Sequence, residues 1–172
     1  DNLKPSWRNE LEITDALQIL LSENNKISYH IITDYWKDTG TPEDIINANK
    51  EILENKESYF YGEKSDDSSL IGIVLVGKGT KILGNSQIKG PVILGENCII
   101  DNVSIGPNSS IGDNSQIINS NIQNSIVMSD CKINTPIKIR DSIISSNSEI
   151  ESKNDSQDKK IFILGEGTKI FL

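Results

Sequence analysis

Asp38 is the side chain whose surroundings most clearly suggest chemistry. It lies in the stretch DYWKDTG, residues 34–40, between a Trp-Lys pair and a Thr-Gly turn. The residues before this stretch predict a strand, and those after it predict the start of a helix. In α/β folds ligands bind outside the carboxyl ends of strands, and a carboxylate there can hold a divalent cation that bridges substrate phosphates. The alternative is a turn residue that binds no ligand.

Other residue types that commonly do chemistry are scarce. The chain has one histidine, His30, and two cysteines, Cys98 and Cys131. Two cysteines are too few for a disulfide framework or a metal cage, so we expect small buried residues in a reducing compartment. The stretch GKGT, residues 77–80, resembles a phosphate-binding loop but lacks the full GxxxxGK[ST] spacing, and we interpret it as a turn. No residue is therefore assigned as a catalytic acid, base or nucleophile.

The charge and hydropathy of the chain argue against two classes of partner. The 172 residues carry a formal net charge of −8, so we expect neither nucleic acid nor an anionic membrane surface as a partner. The longest apolar run, residues 73–76, is far shorter than the ~20 residues of a spanning helix. The first residues do not resemble a signal peptide. These features predict a cytoplasmic protein.

The sequence divides into two regions of different composition. Residues 1–69 hold 15 acidic and 7 basic residues, whereas residues 70–172 hold 10 of each. We therefore expect two architectures. Residues 1–55 would be the C-terminal piece of an α/β domain, residues 56–69 a linker, and residues 70–172 a β-helix domain.

The first region has the pattern of an α/β segment. Leu17, Leu20 and Leu21 have helical spacing and predict a helix over about 14–23, with Thr14 as the N-cap. Residues 27–32 are rich in β-branched and aromatic side chains and predict a strand. One strand between two helices cannot close a sheet, so we expect a larger partner domain outside this chain.

A second helix is predicted directly after Asp38. Thr41 can cap it, Pro42 suits its first position, and Asp44 can complete a capping box. Asp38 would then lie between the predicted strand and the N-terminus of this helix. The apolar residues expected to form one helix face are Ile45, Ala48 and Ile52, with Ile46 and Leu53 beside them.

The second region is built from a six-residue repeat. An aliphatic residue leads each hexad, glycine tends to follow it, and a small residue recurs four places after the leader. This pattern is the signature of a hexapeptide parallel β-helix, in which three hexads form one triangular coil with the leading residues inside. A narrow prism has no room for aromatic side chains, and none occurs between Leu70 and Lys160. The leading residues are Val76, Ile82, Ile88, Leu94, Ile100, Ile105, Ile111 and Ile117.

The repeat continues beyond Ile117 with a looser register. We expect the array to reach about Ile150, over roughly four coils of three hexads each. Residues 161–164 predict a closing strand, and Phe162 and Phe171 are candidates to plug the open end, because solenoids require a cap. The later leading residues are Ile122, Ile126, Ile133, Ile139 and Ile144.

Three parts of the chain together resemble one known enzyme family. They are PSWRNELEITDALQILL at residues 5–21, YWKDTGTPEDIINANKEIL at residues 35–53, and the hexapeptide β-helix. In this order they resemble the C-terminal part of long-form glucose-1-phosphate thymidylyltransferases, which are sugar nucleotidyltransferases. The resemblance covers Pro5 to Leu172. It implies a left-handed β-helix, and it implies that residues 1–55 end a nucleotidyltransferase domain.

The resemblance also implies a reaction and the residues that serve it. The family converts dTTP and glucose 1-phosphate to dTDP-glucose and pyrophosphate, with Mg²⁺ and without a covalent enzyme intermediate. Asp38 is implied as a metal ligand, Arg8 as a contact of the sugar phosphate, and Glu10 as a residue on the sugar side. Asn9 stands where the family usually has glycine. The family's nucleotide loop and first metal-binding aspartate lie outside this chain, so we expect the chain alone to be inactive and to serve oligomerisation.

Two alternative functions stay open. Hexapeptide β-helices often belong to acyltransferases, which usually need a histidine as general base. The coils from Val76 to Ile150 contain no histidine. A related uridylyl- or guanylyltransferase would share the same phosphate chemistry, because base and sugar specificity are expected mostly from residues outside this chain.

Aliphatic residues beside the leading positions predict an oligomer. Adjacent strand residues point to opposite faces, so Ile99, Ile118, Val127 and Ile143 are expected to lie outside the prism. Together they would form an apolar strip, which monomers rarely leave exposed. We expect a homo-oligomer with closed symmetry, with a trimer favoured.

Overall fold

The computed structural model describes residues 3–33, 36–152 and 160–163, with only the backbone at 152 and 160–163. The chain divides into two compact units, Asp1–Trp36 and Lys37–Leu172. Arg8 and Glu10 belong to the first unit. Asp38 and the whole repeat region belong to the second.

The first unit contains helix α1, which spans Ile13–Ser22. Its start differs from the prediction, because the N-cap is Glu12, with φ −85° and ψ 130°, and no side chain caps the helix. Thr14 is not the N-cap, since it already lies in the first helical turn. After Ser22 the backbone amide of Glu23 donates to the carbonyl oxygen of Ile19 at 3.0 Å.

The predicted strand at residues 27–32 is wrong, because residues 25–33 form no regular element. Strands are held by hydrogen bonds to neighbouring strands, and no strand in the described part of the chain pairs with these residues. Their side chains are open to solvent, with Tyr29 87% and Ile31 69% exposed. A local preference for strand is therefore not sufficient here without a sheet to join.

The apolar face of α1 is also uncovered. Leu17 is 39% exposed, Leu20 is 42% exposed and Leu21 is 53% exposed, and no residue of α1 is buried. Full burial of each leucine would contribute roughly 1.5–3 kcal/mol. This face fits the expectation that further protein surface covers the segment.

Helix α2 spans Pro42–Glu54 in the second unit and begins as predicted. The Thr41 hydroxyl accepts a hydrogen bond from the Asp44 amide at 3.2 Å, and the Asp44 carboxylate accepts one from the Thr41 amide at 3.1 Å. Pro42 occupies the first turn, where its missing N–H leaves no bond unmade. The capping box predicted for this helix is confirmed.

The buried face of α2 is not the predicted one. Ile46 and Leu53 are buried, whereas Ile45 is 40% exposed and Ile52 is 58% exposed. Successive helical residues are about 100° apart. Because Ile46 is buried instead of its neighbour Ile45, the predicted face is turned away from the β-helix. Both faces carry aliphatic residues, and packing against the β-helix selects between them.

The rest of the second unit is a parallel β-helix, whose three sheets contain six, seven and five strands within the described residues. Sheet A contains β1 (Tyr59–Phe60), β4 (Val74–Val76), β7 (Val92–Leu94), β10 (Ser109–Ile111), β13 (Ile126–Val127) and β16 (Ile143–Ile144). Sheet B contains β2 (Glu63–Lys64), β5 (Lys81–Leu83), β8 (Ile99–Asp101), β11 (Gln116–Ile118), β14 (Lys132–Asn134), β17 (Glu149–Ser152) and β18 (Lys160–Ile163). Sheet C contains β3 (Ser69–Ile71), β6 (Gln87–Lys89), β9 (Ser104–Ile105), β12 (Asn121–Gln123) and β15 (Lys138–Arg140).

Strands one coil apart pair in parallel throughout, which confirms the predicted hexapeptide β-helix and matches the left-handed class. β18, predicted as a closing strand, pairs with β17 but runs antiparallel to it. The expected plug by Phe162 and Phe171 concerns side chains outside the described part of the chain. The region expected as a linker, residues 56–69, contains β1 and β2, so the coils begin earlier than expected.

The first coil closes one end of the prism. Phe60, Lys64 and Leu70 pair with residues of the interior, so they occupy the interior positions of this coil. The Lys64 ammonium donates to the carbonyl oxygens of Ser65 at 3.1 Å and Ser68 at 3.2 Å. The lysine thus satisfies two backbone carbonyl groups at the adjacent corner of the first coil.

The leading aliphatic residues form the interior, as predicted. Every leading residue from Val76 to Ile117 is at most 2% exposed. The choice of Ile126 is wrong, because Val127 is 1% exposed and pairs with the interior residues Ile111 and Ile144. Two adjacent aliphatic residues left the register ambiguous at this point. Val127 therefore lies inside the prism and not on the expected outer strip.

The GKGT stretch and both cysteines have structural roles. Gly79 has φ 71°, and the buried Thr80 hydroxyl donates to the Gly95 carbonyl oxygen at 2.6 Å. The Cys98 amide donates to the same hydroxyl at 2.9 Å, which stacks two coils at one corner. Cys98 and Cys131 are buried and free, as predicted, and burial raises the pKa of both thiols. Both thiols therefore stay protonated near neutral pH.

The four residues predicted to lie outside the prism do not form one strip. Ile99 and Ile118 lie on sheet B, whereas Ile143 lies on sheet A. Lys81 and Gln116 flank Ile99 in its ladder, and the neighbours of Ile118 are polar as well. The predicted continuous apolar strip is therefore wrong, because successive hexads of one coil lie on different sides of the prism.

Candidate functional site

Arg8 lies in a tight turn that asparagine makes possible. The Ser6 amide donates to the Glu10 carbonyl oxygen at 2.8 Å, and the Asn9 amide donates to the Ser6 carbonyl oxygen at 2.9 Å. Asn9 has φ 59°, in the left-handed region that glycine and asparagine tolerate best. Asparagine at this position therefore supports the same kind of backbone as glycine would.

The Arg8 guanidinium is held by a bidentate ion pair with Glu12. Its NH2 group lies 2.8 Å and 2.9 Å from the two Glu12 carboxylate oxygens, and its Nε lies 3.2 Å from one of them. The Ser6 hydroxyl donates to the same carboxylate at 2.8 Å. These bonds, first from Arg8 and then from Ser6, lower the pKa of Glu12. The guanidinium thus presents an oriented pair of donors in a geometry that also suits a phosphate.

Glu10 is exposed, and its backbone carbonyl closes the turn around Arg8. Within the described residues no hydrogen bond or ion pair engages its carboxylate. Its carboxylate can therefore accept hydrogen bonds from sugar hydroxyls without first losing a protein partner. Its assignment to the sugar side stays a prediction.

Asp38 lies in an exposed, irregular segment that residues on either side hold in place. Lys37 Nζ forms an ion pair with Asp44 at 2.8 Å, and the Thr41 hydroxyl donates to the other Asp44 oxygen at 2.6 Å. These contacts, with Lys37 contributing most, lower the pKa of Asp44. One carboxylate thus ties together residues on both sides of Asp38.

The Asp38 carboxylate can serve as one ligand of a metal ion but does not form a metal site alone. Within the described residues, no hydrogen bond or ion pair involves its carboxylate. An exposed carboxylate of this kind is a suitable ligand for a hard divalent cation. No cluster of three or more potential metal ligands occurs in the described part of the chain. Asp38 can therefore supply one ligand, and the others would have to come from elsewhere.

α2 is fastened to the outer face of sheet A by Asn49. Its Nδ2 donates to the Asn108 carbonyl oxygen at 3.0 Å, and its Oδ1 accepts from the Ser110 hydroxyl at 2.6 Å. Asn108 has φ 63°, so a left-handed corner turns this carbonyl toward the helix. The helix that follows Asp38 is therefore anchored to the fourth coil of the solenoid, at β10.

The predicted site residues fall into two groups. Arg8 and Glu10 share one turn of the first unit, and Asp38 belongs to the second. Sequence reasoning missed three contacts of these segments, namely those of Glu12 with Arg8, of Asp44 with Lys37 and of Asn49 with the β-helix. A spacing of four residues brings side chains together on a helix, but Arg8 and Glu12 precede α1, so the sequence did not indicate this pair. Nothing in the sequence indicated the Asn49 contact, because its partners are about sixty residues away.

An open polar groove of about 410 Å³ runs beside sheet C. Its lining includes Gln87, Ser104, Asn121 and Lys138, and it contains no histidine, cysteine or carboxylate. The groove therefore offers no general base of the kind that acyl transfer usually requires.

In the described residues no helix has the length and apolar content needed to cross a membrane.

Comparison with known proteins gives similarities to both regions of the chain. Residues 1–55 match the family model described as Nucleotidyl transferase. The chain is 36% identical over 168 residues to a glucose-1-phosphate thymidylyltransferase of Streptomyces antibioticus, covering 98% of this chain and 47% of that protein. It is 36% identical over 174 residues to the low-salt glycan biosynthesis nucleotidyltransferase Agl11 of Haloferax volcanii, covering 100% of this chain and 49% of that protein.

Among solved structures, serine acetyltransferase isoform 3 of Entamoeba histolytica aligns with 70% of this chain and 47% of its own, with a TM-score of 0.30 and 18% identity. The chain spans about half the length of the curated relatives it matches. The resemblance to thymidylyltransferases stated from the sequence is confirmed.

Proposed function

We propose that this chain is the C-terminal portion of a sugar-1-phosphate nucleotidyltransferase, and that the whole protein is a glucose-1-phosphate thymidylyltransferase. One observation carries the proposal. Nearly the entire chain is similar to a glucose-1-phosphate thymidylyltransferase, and its first 55 residues match the Nucleotidyl transferase family. The β-helix alone would not support this assignment, since hexapeptide coils occur with several chemistries.

The reaction requires positioning more than covalent chemistry. A phosphate oxygen of glucose 1-phosphate attacks the α-phosphorus of dTTP, and the bond to the β-phosphate oxygen breaks. The products are dTDP-glucose and pyrophosphate. Negative charge accumulates around the phosphorus, so neutralising that charge supplies most of the rate enhancement.

Arg8 is proposed to bind the phosphate of the sugar substrate. Its guanidinium is already oriented by Glu12, and a planar fork of donors matches two phosphate oxygens. The phosphate would share or replace the Glu12 contact. Glu10, in the same turn, is proposed to accept hydrogen bonds from the sugar hydroxyls.

Asp38 is proposed to supply one oxygen ligand to Mg²⁺. When bound, the metal would neutralise charge on the phosphates. The supporting observations are that the Asp38 carboxylate is exposed and that Asp44 braces its neighbours Lys37 and Thr41. The ligand is therefore accessible while its backbone is restrained.

The β-helix is proposed to assemble the protein as a homo-oligomer, and the chain alone to be inactive. The proposed location is the cytoplasm, where nucleoside triphosphates and free thiols are available. Two buried cysteines without a disulfide fit that compartment. These proposals concern the whole protein, of which the chain represents about half when compared with its relatives.

The proposal is tested by assaying the full-length protein with Mg²⁺, glucose 1-phosphate and each of dTTP, UTP and GTP. Pyrophosphate release is expected to be fastest with dTTP. A parallel assay with acetyl-CoA and an amino sugar addresses acyl transfer and is expected to show no free coenzyme A. Coenzyme A release without pyrophosphate release would contradict the proposed function.

A further inference from the structure

The contact between α2 and sheet A contains a polar pair within apolar surroundings. On α2, the residues turned toward the sheet are Ile46, Asn49 and Leu53, and both Ile46 and Leu53 are buried. On sheet A, the outward ladder begins with Tyr59, and from Leu75 to Ile143 it is aliphatic at every position except Ser110. The paired rungs are Leu75, Ile93, Ser110, Ile126 and Ile143.

The polar pair is fully engaged only when α2 has one position along the ladder. Asn49 accepts from the Ser110 hydroxyl at 2.6 Å and donates to the Asn108 carbonyl oxygen at 3.0 Å. If the helix slid by one turn, Asn49 would face an aliphatic rung and Ser110 would lose its acceptor. Leaving such groups unpaired in a part-buried contact costs about 1–3 kcal/mol. A single polar residue in an apolar seam fixes register in the same way in coiled coils.

The register of α2 also determines where Asp38 lies. Asp44, in the first turn of α2, binds both Lys37 and Thr41, so the segment around Asp38 follows the helix. A slip of one helical turn would move that segment by about 5.4 Å. Magnesium–oxygen distances are about 2.0–2.1 Å and tolerate little change. A ligand displaced by a turn would leave the metal.

We propose that Asn49 and Ser110 are positioning residues, which fix α2 on the β-helix and thereby hold Asp38 where a divalent cation binds. The inference rests on the proposed function, and it gives the β-helix a part in catalysis besides assembly. It identifies Asn49 as a residue that touches no substrate but controls a ligand of the metal.

The structural test uses the 172-residue chain and the double substitution Asn49→Leu with Ser110→Ala. These changes keep the contact apolar and filled, so thermal stability of the coils should change little. Hydrogen–deuterium exchange over residues 41–54 should become roughly tenfold faster, because docking is no longer confined to one register. Asn47→Leu is the matched control on the exposed side of α2, and Ser110→Thr retains the hydroxyl. Both should exchange at the wild-type rate.

The functional test uses the full-length protein. The double substitution should lower kcat by up to roughly 10²-fold, the cost of misplacing a group by about 1 Å, and raise the Mg²⁺ concentration for half-maximal rate. The KM for glucose 1-phosphate should be nearly unchanged. The single variants Asn47→Leu and Ser110→Thr should each keep all of these values at the wild-type level.

The inference and the proposed function fail in different ways. Unchanged exchange over residues 41–54 would overturn the inference. An unchanged Mg²⁺ requirement in the double variant would also overturn the inference, provided that Asp38→Asn inactivates the same enzyme. Wild-type turnover in Asp38→Asn would instead show that Asp38 is not a metal ligand. The inference would then be wrong as well, because it assumes that role.

Discussion

Arg8 and Asp38 are held by their surroundings in different ways. The Arg8 side chain is engaged directly, because Glu12 binds its guanidinium through both carboxylate oxygens. The Asp38 side chain is not engaged within the described residues, although Asp44 restrains its neighbours. An incoming phosphate must therefore compete with Glu12, whereas a cation would meet an open carboxylate at Asp38.

At Arg8 we predict that Arg8→Lys in the full-length protein raises the KM for glucose 1-phosphate about tenfold, with a smaller effect on kcat. Lysine keeps the charge but cannot donate two parallel hydrogen bonds to a phosphate, and tenfold corresponds to about 1.4 kcal/mol. Steady-state kinetics with varied sugar phosphate measures the change. Glu12→Gln is the control, because it weakens the ion pair and retains the guanidinium. An unchanged KM in Arg8→Lys would contradict the phosphate contact.

α2 owes its N-terminus to a capping box whose acid is also an ion-pair partner. Asp44 joins Thr41 to Lys37, and the helix is fixed farther along by Asn49. The cap was predictable from the local sequence, since all its atoms lie within a few residues. The Asn49 contact was not, because only the folded β-helix brings Ser110 to that position.

Acid should loosen the start of α2. The pKa of Asp44 is lowered in the folded chain, so its contribution is present above its ordinary pKa of 3.8 and is lost as pH falls through the lowered value. The amide resonances of Thr41 and Asp44 should therefore shift together below about pH 4 in NMR spectra. In Asp44→Asn this titration should be missing. A Thr41 amide that is insensitive to acid in the wild type would contradict the role of the carboxylate.

The β-helix alternates buried and exposed aliphatic residues, and adjacent isoleucines provide a direct test. Ile117 is fully buried, whereas its neighbour Ile118 faces outward on sheet B. Ile117→Ala should lower the free energy of unfolding by about 2–5 kcal/mol, as cavity-forming substitutions do. Ile118→Ala should cost much less. Urea unfolding of both variants measures the difference, and equal losses would show that the interior register is assigned incorrectly.

The repeat was predictable because its information is local and recurs in every coil. The interior residues from Val76 to Ile117 follow directly from hexad spacing. The prediction failed at Ile126 and Val127, where two aliphatic residues stand side by side and only the ladder decides between them. It failed at residues 27–32 for the opposite reason, since a strand needs a partner sheet that local sequence cannot supply. Arg8 and Glu10 were found through resemblance, whereas Asp38 was found first from its position before α2 and then through resemblance. The roles of all three stay predictions.

At the scale of the whole molecule, the chain combines a segment with uncovered apolar residues and a well-packed solenoid. α1 buries none of its residues, while the interior residues of the β-helix from Val76 to Ile150 form one buried core. This contrast fits a chain that completes its first unit only within a larger protein. The chain alone is therefore proposed to lack thymidylyltransferase activity.

Light scattering tests the predicted oligomer. The chain has a mass of 19.0 kDa, and a trimer would scatter as about three times that mass. Because Val127 is interior, Val127→Glu would disrupt the coils and is unsuitable as an interface test. Ile118→Glu serves instead as a surface control, and it should leave assembly intact because the neighbours of Ile118 are polar. A monomer at micromolar concentration would contradict the prediction of a homo-oligomer.

The most direct test of the central proposal is Mg²⁺-dependent pyrophosphate release from dTTP and glucose 1-phosphate by the full-length protein, compared between wild type and Asp38→Asn. Asparagine keeps the size and turn-forming ability of aspartate but removes the charge that would hold the metal. We predict an active wild type and a loss of turnover of roughly 10²-fold or more in Asp38→Asn, the ~2.7 kcal/mol scale of one electrostatic stabiliser. Asp67→Asn, at an exposed position of the first coil, should retain the wild-type rate. An inactive wild type would contradict the proposed activity. Wild-type turnover of Asp38→Asn at limiting Mg²⁺ would contradict the proposed role of Asp38 as a metal ligand.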